Sequence, residues 1–134
     1  MKHESPKDIA NERAVIDTLC KRWKCEPFKL PVRYELDYAL LRDGQLKCIV
    51  EVKCRTCAQA AYPTVISGLR KVVAGKTLAQ QLGVPFYYVV RWTDAIGYTS
   101  TLNGEIRLGG RYDRGDDQDP DLWMHIPINQ FVNL

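Results

Sequence analysis

The segment Cys48 to Cys54, CIVEVKC, is the most strand-like stretch of the chain, yet it carries two charges. Side chains on a strand alternate between faces. Glu51 and Lys53 therefore share one face with Ile49, while Cys48, Val50, Val52 and Cys54 share the other. A charge removed from water is costly unless it is paired or bound to a metal. A fold that buries this strand must supply Glu51 and Lys53 with a partner or a common ligand.

The preceding stretch offers a third charge. Val32 to Leu41 and Leu46 to Cys54 read as two strands joined by Arg42-Asp43-Gly44-Gln45, an antiparallel hairpin. On the first strand Glu35, Asp37 and Ala39 share a face. The loop decides whether Asp37 meets Glu51. A plain two-residue Asp43-Gly44 turn sets Asp37 opposite Val50 and sends the two carboxylates to opposite faces. A three-residue loop over Arg42 to Gly44 sets Asp37 opposite Ile49 and diagonal to Glu51. The carboxylates then share a face with about 7 Å between backbones, near enough to reach one cation. A five-residue loop or a bulge would also restore the common face.

Helices are expected on either side of the hairpin. Ser5 as N-cap, Pro6 at the first helical position and Asp8 three residues after the cap start a helix running from about Pro6 to about Trp23. Its core stripe is Ile9, Ile16, Leu19 and Trp23, and Glu12 falls inside that stripe, pointing inward or nearly so. Glu26 to Pro31 breaks the pattern. After the hairpin, Val65, Leu69, Val72 or Val73, and Leu82 recur at helical spacing, with Gly83 as C-cap. Phe86 to Trp92 is an aromatic and β-branched strand, and reaching it through a helix implies a parallel crossover. The spacing further predicts a second hairpin around Asn103-Gly104, a solvated acidic loop over Arg114 to Asp121, and a short closing element over Leu122 to Leu134.

The chain of 134 residues suits one compact domain, 1–134, with one core. Residues 1–29 contain no long apolar run and no stretch approaches a bilayer span, so the expectation is an intracellular, cytoplasmic protein without a membrane partner. Five cysteines, an odd number, then argue for reduced thiols. Up to Lys76 there are 15 Lys and Arg against 9 Asp and Glu, and from Thr77 onward 4 against 7. The basic portion is compatible with a polyanionic partner.

An acid on one strand, Glu-x-Lys on its hairpin partner and an inward Glu on the preceding helix resemble the PD-(D/E)XK nuclease superfamily. The resemblance covers about Pro6 to Trp92, and Leu36 stands where the motif's name has proline. It implies an α/β, restriction-endonuclease-like fold: a central mixed β-sheet flanked by helices, with an α-β-β-α-β core. It also implies that Asp37 and Glu51 hold Mg²⁺ (or Mn²⁺), that Val52 adds its carbonyl, and that Lys53 orients or activates the attacking water. Glu12 is then an additional acid, as in resolvase-like members, and Lys76 and Gln80 of the second helix are further candidates. Lys71 falls on a neighbouring face with Ser67, as an ordinary solvated lysine would. Small free-standing nucleases of this type resemble junction resolvases and phage-type endonucleases, which implies DNA as partner and a homodimer as assembly.

The chemistry agrees. Phosphodiester hydrolysis develops negative charge that a carboxylate-held cation offsets, and a nearby ammonium can orient the water. Two other readings stay open. One is a nuclease-like fold kept as a non-catalytic DNA-binding or assembly module. The other is a zinc-stabilised interaction module built on Cys20, Cys25, Cys54 and Cys57, although Cys54 falls on the core face with Cys48 and the spacing suits buried free thiols better. His3 and His125 have no identifiable partner in the sequence.

Overall fold

The computed structural model describes residues 5–31, 34, 36–109 and 121–134. Helix α1, Pro6–Trp23, opens on the expected capping box: Asp8 N–H donates to the Ser5 hydroxyl and Ser5 N–H donates to the Asp8 carboxylate. Its buried face is Glu12, Val15, Ile16 and Leu19. Ile9, expected in the core, is 42% exposed because the packed stripe begins one turn later.

Strand β1, Glu26–Lys29, lies where a break was expected. It is an edge strand, which tolerates Pro27 because the missing N–H can face away from the sheet. Strand β2 is Tyr38–Arg42, shorter than the expected Val32–Leu41, and residues 32, 33 and 35 lie outside the described residues. Strand β3 is Gln45–Cys54.

Strand β4, Thr64–Gly68, corrects the reading of the second helix. Its TVIS sequence alternates, with Val65 and Ser67 buried and Ile66 exposed, so Val65 belongs to a sheet rather than to the helical stripe. Helix α2 is Leu69–Leu82 and closes on Gly83, whose left-handed φ of 71° suits glycine. Strands β5, Phe86–Arg91, β6, Ile96–Thr99, β7, Glu105–Gly109, β8, Asp121–Pro127, and β9, Val132–Asn133, complete the chain.

Among the described residues, six strands form a sheet in the order β1-β2-β3-β5-β6-β9 and three form another in the order β4-β8-β7. β3 and β5 are parallel across the α2 crossover and every other pair is antiparallel, so the larger sheet is mixed. α1 packs through Val15, Ile16 and Leu19 on Tyr38, Leu40, Cys48, Val50 and Val52. On the other face Ala39, Ile49, Tyr88 and Val90 meet α2 through Val72 and Ala79 and meet the small sheet through Val65, Met124 and Ile126. Both faces are therefore covered, which is why β3 reads as a nearly unbroken apolar run. α2 approaches so closely that a methyl group on Gly75 would collide with the Phe86 ring.

The expected hairpin at Asn103-Gly104 does not form. β6 pairs with β5 and β9, and β7 pairs with β8. Leu102, 1% exposed, anchors the connection between the two sheets, and the Gln130 side chain bonds both the N–H and the carbonyl of Asn103. The closing element contains β8 and β9, and residues 110–120, including most of the acidic loop, lie outside the described residues.

Candidate active site

The hairpin solves its parity problem with a two-residue turn and a bulge. Asp43 and Gly44 both have left-handed φ, 52° and 76°, as a tight turn matching the strand twist requires. Arg42 pairs with Gln45 and Leu41 with Leu46, but Leu40 pairs with Cys48, leaving Lys47 as the extra residue. The bulge shifts the remaining pairs to Ala39 with Ile49 and Tyr38 with Val50. Asp37 is thus opposite neither Ile49 nor Val50. Pairing ends at Tyr38 with Val50, so Asp37 lies one residue beyond the ladder, beside Val52.

Backbone geometry then fixes the Asp37 side chain. The N–H groups of Ile49 and Arg55 donate toward β5, to Pro85 and Arg91. Alternation turns the N–H of Val52 toward β2. β2 pairing has ended at Tyr38, and the Asp37 Oδ2 accepts that N–H at 2.8 Å. Asp37 is 0% exposed and Glu51 4% exposed.

Each acid has an ammonium beside it. Lys71 Nζ of α2 stands 2.9 Å from Glu51 Oε1. Lys29 Nζ of β1 stands 3.2 Å from Glu12 Oε2 and 3.9 Å from Asp37 Oδ1, and also lies over the Tyr38 ring. Glu12 is buried as expected, but it comes from the helix on the opposite face of the sheet and meets the Asp37 region through Lys29. Lys53 donates to the carbonyl of Ile66 at 3.1 Å, and Arg55, next along the same strand face, donates to that oxygen at 3.0 Å. Tyr88 is the parallel partner of Glu51. Burial pushes its phenol well above the usual range, and the charges of Glu51 and Asp37 push it the same way.

Lys76 instead donates to the Leu102 carbonyl, and Gln80 is exposed. The residue of α2 that reaches Glu51 is Lys71. The signal lay in the crossover: α2 starts above the C-terminal end of β3 and descends toward the start of β5. Its first turn overlies Glu51, while its later turns, marked by Gly75 against Phe86, do not.

Among the described residues, no three His, Cys, Asp or Glu side chains form a metal-binding group. Asp37 and Glu51 are both buried, and Asp37 is bonded to the residue after Glu51; paired carboxylates completed by substrate phosphate and water are a common way to hold Mg²⁺. The donor set fits a hard cation. The four cysteines of the zinc reading are split: Cys20 and Cys25 pack beside the buried Cys48 on the α1 side, while Cys54, expected on the core face, is exposed at the strand end.

A mixed sheet flanked by helices, with buried acids beside its central hairpin, defines a restriction-endonuclease-like protein. The chain belongs to the family described as "Phage putative PDDEXK endonuclease", whose model matches residues 1–134. That family places it among nucleases. No curated protein matches the chain. No helix among the described residues is long and apolar enough to cross a membrane.

Proposed function

We propose that this protein is a metal-dependent deoxyribonuclease, an endonuclease hydrolysing DNA phosphodiester bonds, with Asp37, Glu51 and the Val52 carbonyl holding Mg²⁺ or Mn²⁺. One observation carries the reading: the wholly buried Asp37 carboxylate is bonded to the backbone of Val52, the residue after Glu51. The N–H and C=O of a strand residue point to the same edge, so the Val52 carbonyl is turned toward Asp37 as well. A bound divalent ion would acidify a water and offset charge developing on the phosphate.

The chain's own residues do the rest. Lys53 supplies an ammonium that orients the attacking water, and its bond to Ile66 keeps it on the α2 side of the sheet beside Glu51. Glu12 holds Lys29 near Asp37. The shared core of the two sheets supports a single nuclease domain over 1–134. On the resemblance to resolvases, the substrate is branched or junction DNA, the working unit a homodimer and the compartment the cytoplasm.

The test is incubation with supercoiled, linear, single-stranded and branched DNA under Mg²⁺, Mn²⁺ or EDTA, with the mass measured by sedimentation. Cleavage with either metal, absent in EDTA and fastest on branched DNA, is expected. No cleavage of any substrate with either metal would overturn the reading.

A further inference from the structure

The two carboxylates of the site are deeply buried while the lysines beside them are not. The Glu51 side chain is 5% exposed against 31% for Lys71. Glu12 and Asp37 are 11% and 0% exposed against 36% for Lys29. The acids cannot leave the sheet, whereas each lysine carries its charge on a flexible stem that already reaches solvent and can withdraw into water. The lysines come from different elements, one on α2 and one on β1, yet each places its ammonium at one of the two proposed metal-holding acids.

We propose that Lys71 and Lys29 are stand-in cations: they neutralise Glu51 and Asp37 in the ion-free protein and give up these oxygens when a hard divalent cation binds. This inference rests on the metal site proposed above. A cation sharing Glu51 Oε1 would stand one oxygen away from the Lys71 ammonium, and two positive charges at that separation compete. The exchange explains how a buried acidic pair is tolerated without metal. It also makes the lysines, as well as the acids, determinants of metal affinity.

The experiment titrates DNA-free protein with Mn²⁺ by calorimetry and by thermal melting, using wild type, Lys71→Met, Lys29→Met and, as control, Lys47→Met. Lys47 is exposed and bonds only its neighbour Gln45 among the described residues. Removing a competing charge at this range should tighten Mn²⁺ binding by roughly tenfold and enlarge the Mn²⁺-induced rise in melting temperature. The control should behave as wild type. Unchanged or weaker binding in Lys71→Met, as a purely structural ion pair predicts, would overturn the proposal.

Acetylation of wild-type lysines followed by mass spectrometry needs no variant to fold. Mn²⁺ should raise the labelling of Lys71 and Lys29 relative to Lys47, and unchanged or reduced labelling would overturn the exchange. Wild type that binds no Mn²⁺ at millimolar concentration overturns the metal site and this inference together. Wild type that binds Mn²⁺ with unaltered lysines overturns this inference alone.

Discussion

Replacing Asp37 by Asn and by Ala separates its structural from its chemical role. The carboxylate is 0% exposed and accepts the Val52 N–H at 2.8 Å. Asn keeps an oxygen for that N–H, so the loss is the charge-assisted part of the bond, about 1 kcal/mol. Relief of burying an anion offsets some of it. Ala leaves the N–H buried and unsatisfied, costing about 1–3 kcal/mol, and lost packing brings the total to about 2–4 kcal/mol. In a chain of 134 residues this lowers the melting temperature by roughly 7–14 °C for Ala, against about 3 °C or less for Asn. Both variants should cleave DNA at least about a hundredfold more slowly, since each removes a preorganised charge. The assay is melting by circular dichroism in EDTA beside gel cleavage in Mg²⁺. If Asn melts as low as Ala, the hydrogen-bond reasoning fails. If either variant keeps wild-type turnover, the assignment of Asp37 fails.

Glu51→Gln and Lys53→Ala should each abolish cleavage while leaving the circular dichroism spectrum unchanged, and wild-type turnover in either would contradict the proposed roles. Gly75→Ala should destabilise by about 1–3 kcal/mol in urea melts, because the added methyl meets the Phe86 ring. Burial pushes the Cys48 thiol from 9.0 up to about 12, so the folded state retains a proton that the unfolded chain releases. That contribution to stability is intact below the unfolded value and is lost as pH rises toward the folded one. Between about pH 8 and about pH 10.5 wild type should lose about 2 kcal/mol more than Cys48→Ala, measured by denaturant titration. Protein prepared without added metal should carry less than one equivalent of zinc by elemental analysis, whereas stoichiometric zinc with unfolding on chelation would favour a thiolate-built module.

The parts of this fold that local chemistry dictates were legible in the sequence. Ser5, Pro6 and Asp8 start α1, Gly83 ends α2, and the aromatic run at Phe86 is the parallel strand after the crossover. Parity made any meeting of Asp37 with Glu51 depend on the loop. What sequence could not show was how the parity is met, since a bulge at Lys47 leaves the apolar pattern intact while shifting every pair beyond it. Long-range pairing hid β4: Val65 fits both a helical stripe and a strand, and only β8, some sixty residues later, decides between them. Asn103-Gly104 failed as a hairpin signal for a related reason, because burial of Leu102 between two sheets outweighs a local turn preference. Lys71 carries no such mark in the sequence, because face arithmetic on one helix does not reveal which turn lies above the end of β3.

Asp37 and Glu51 are proposed to hold one divalent cation between them. Crystals of the wild-type protein grown with Mn²⁺ and measured at the manganese absorption edge test it directly. An anomalous peak bonded to one carboxylate oxygen of Asp37 and one of Glu51, each at about 2.1–2.3 Å, is expected. Manganese bound elsewhere, with Lys71 and Lys29 still closed on these acids, would contradict it.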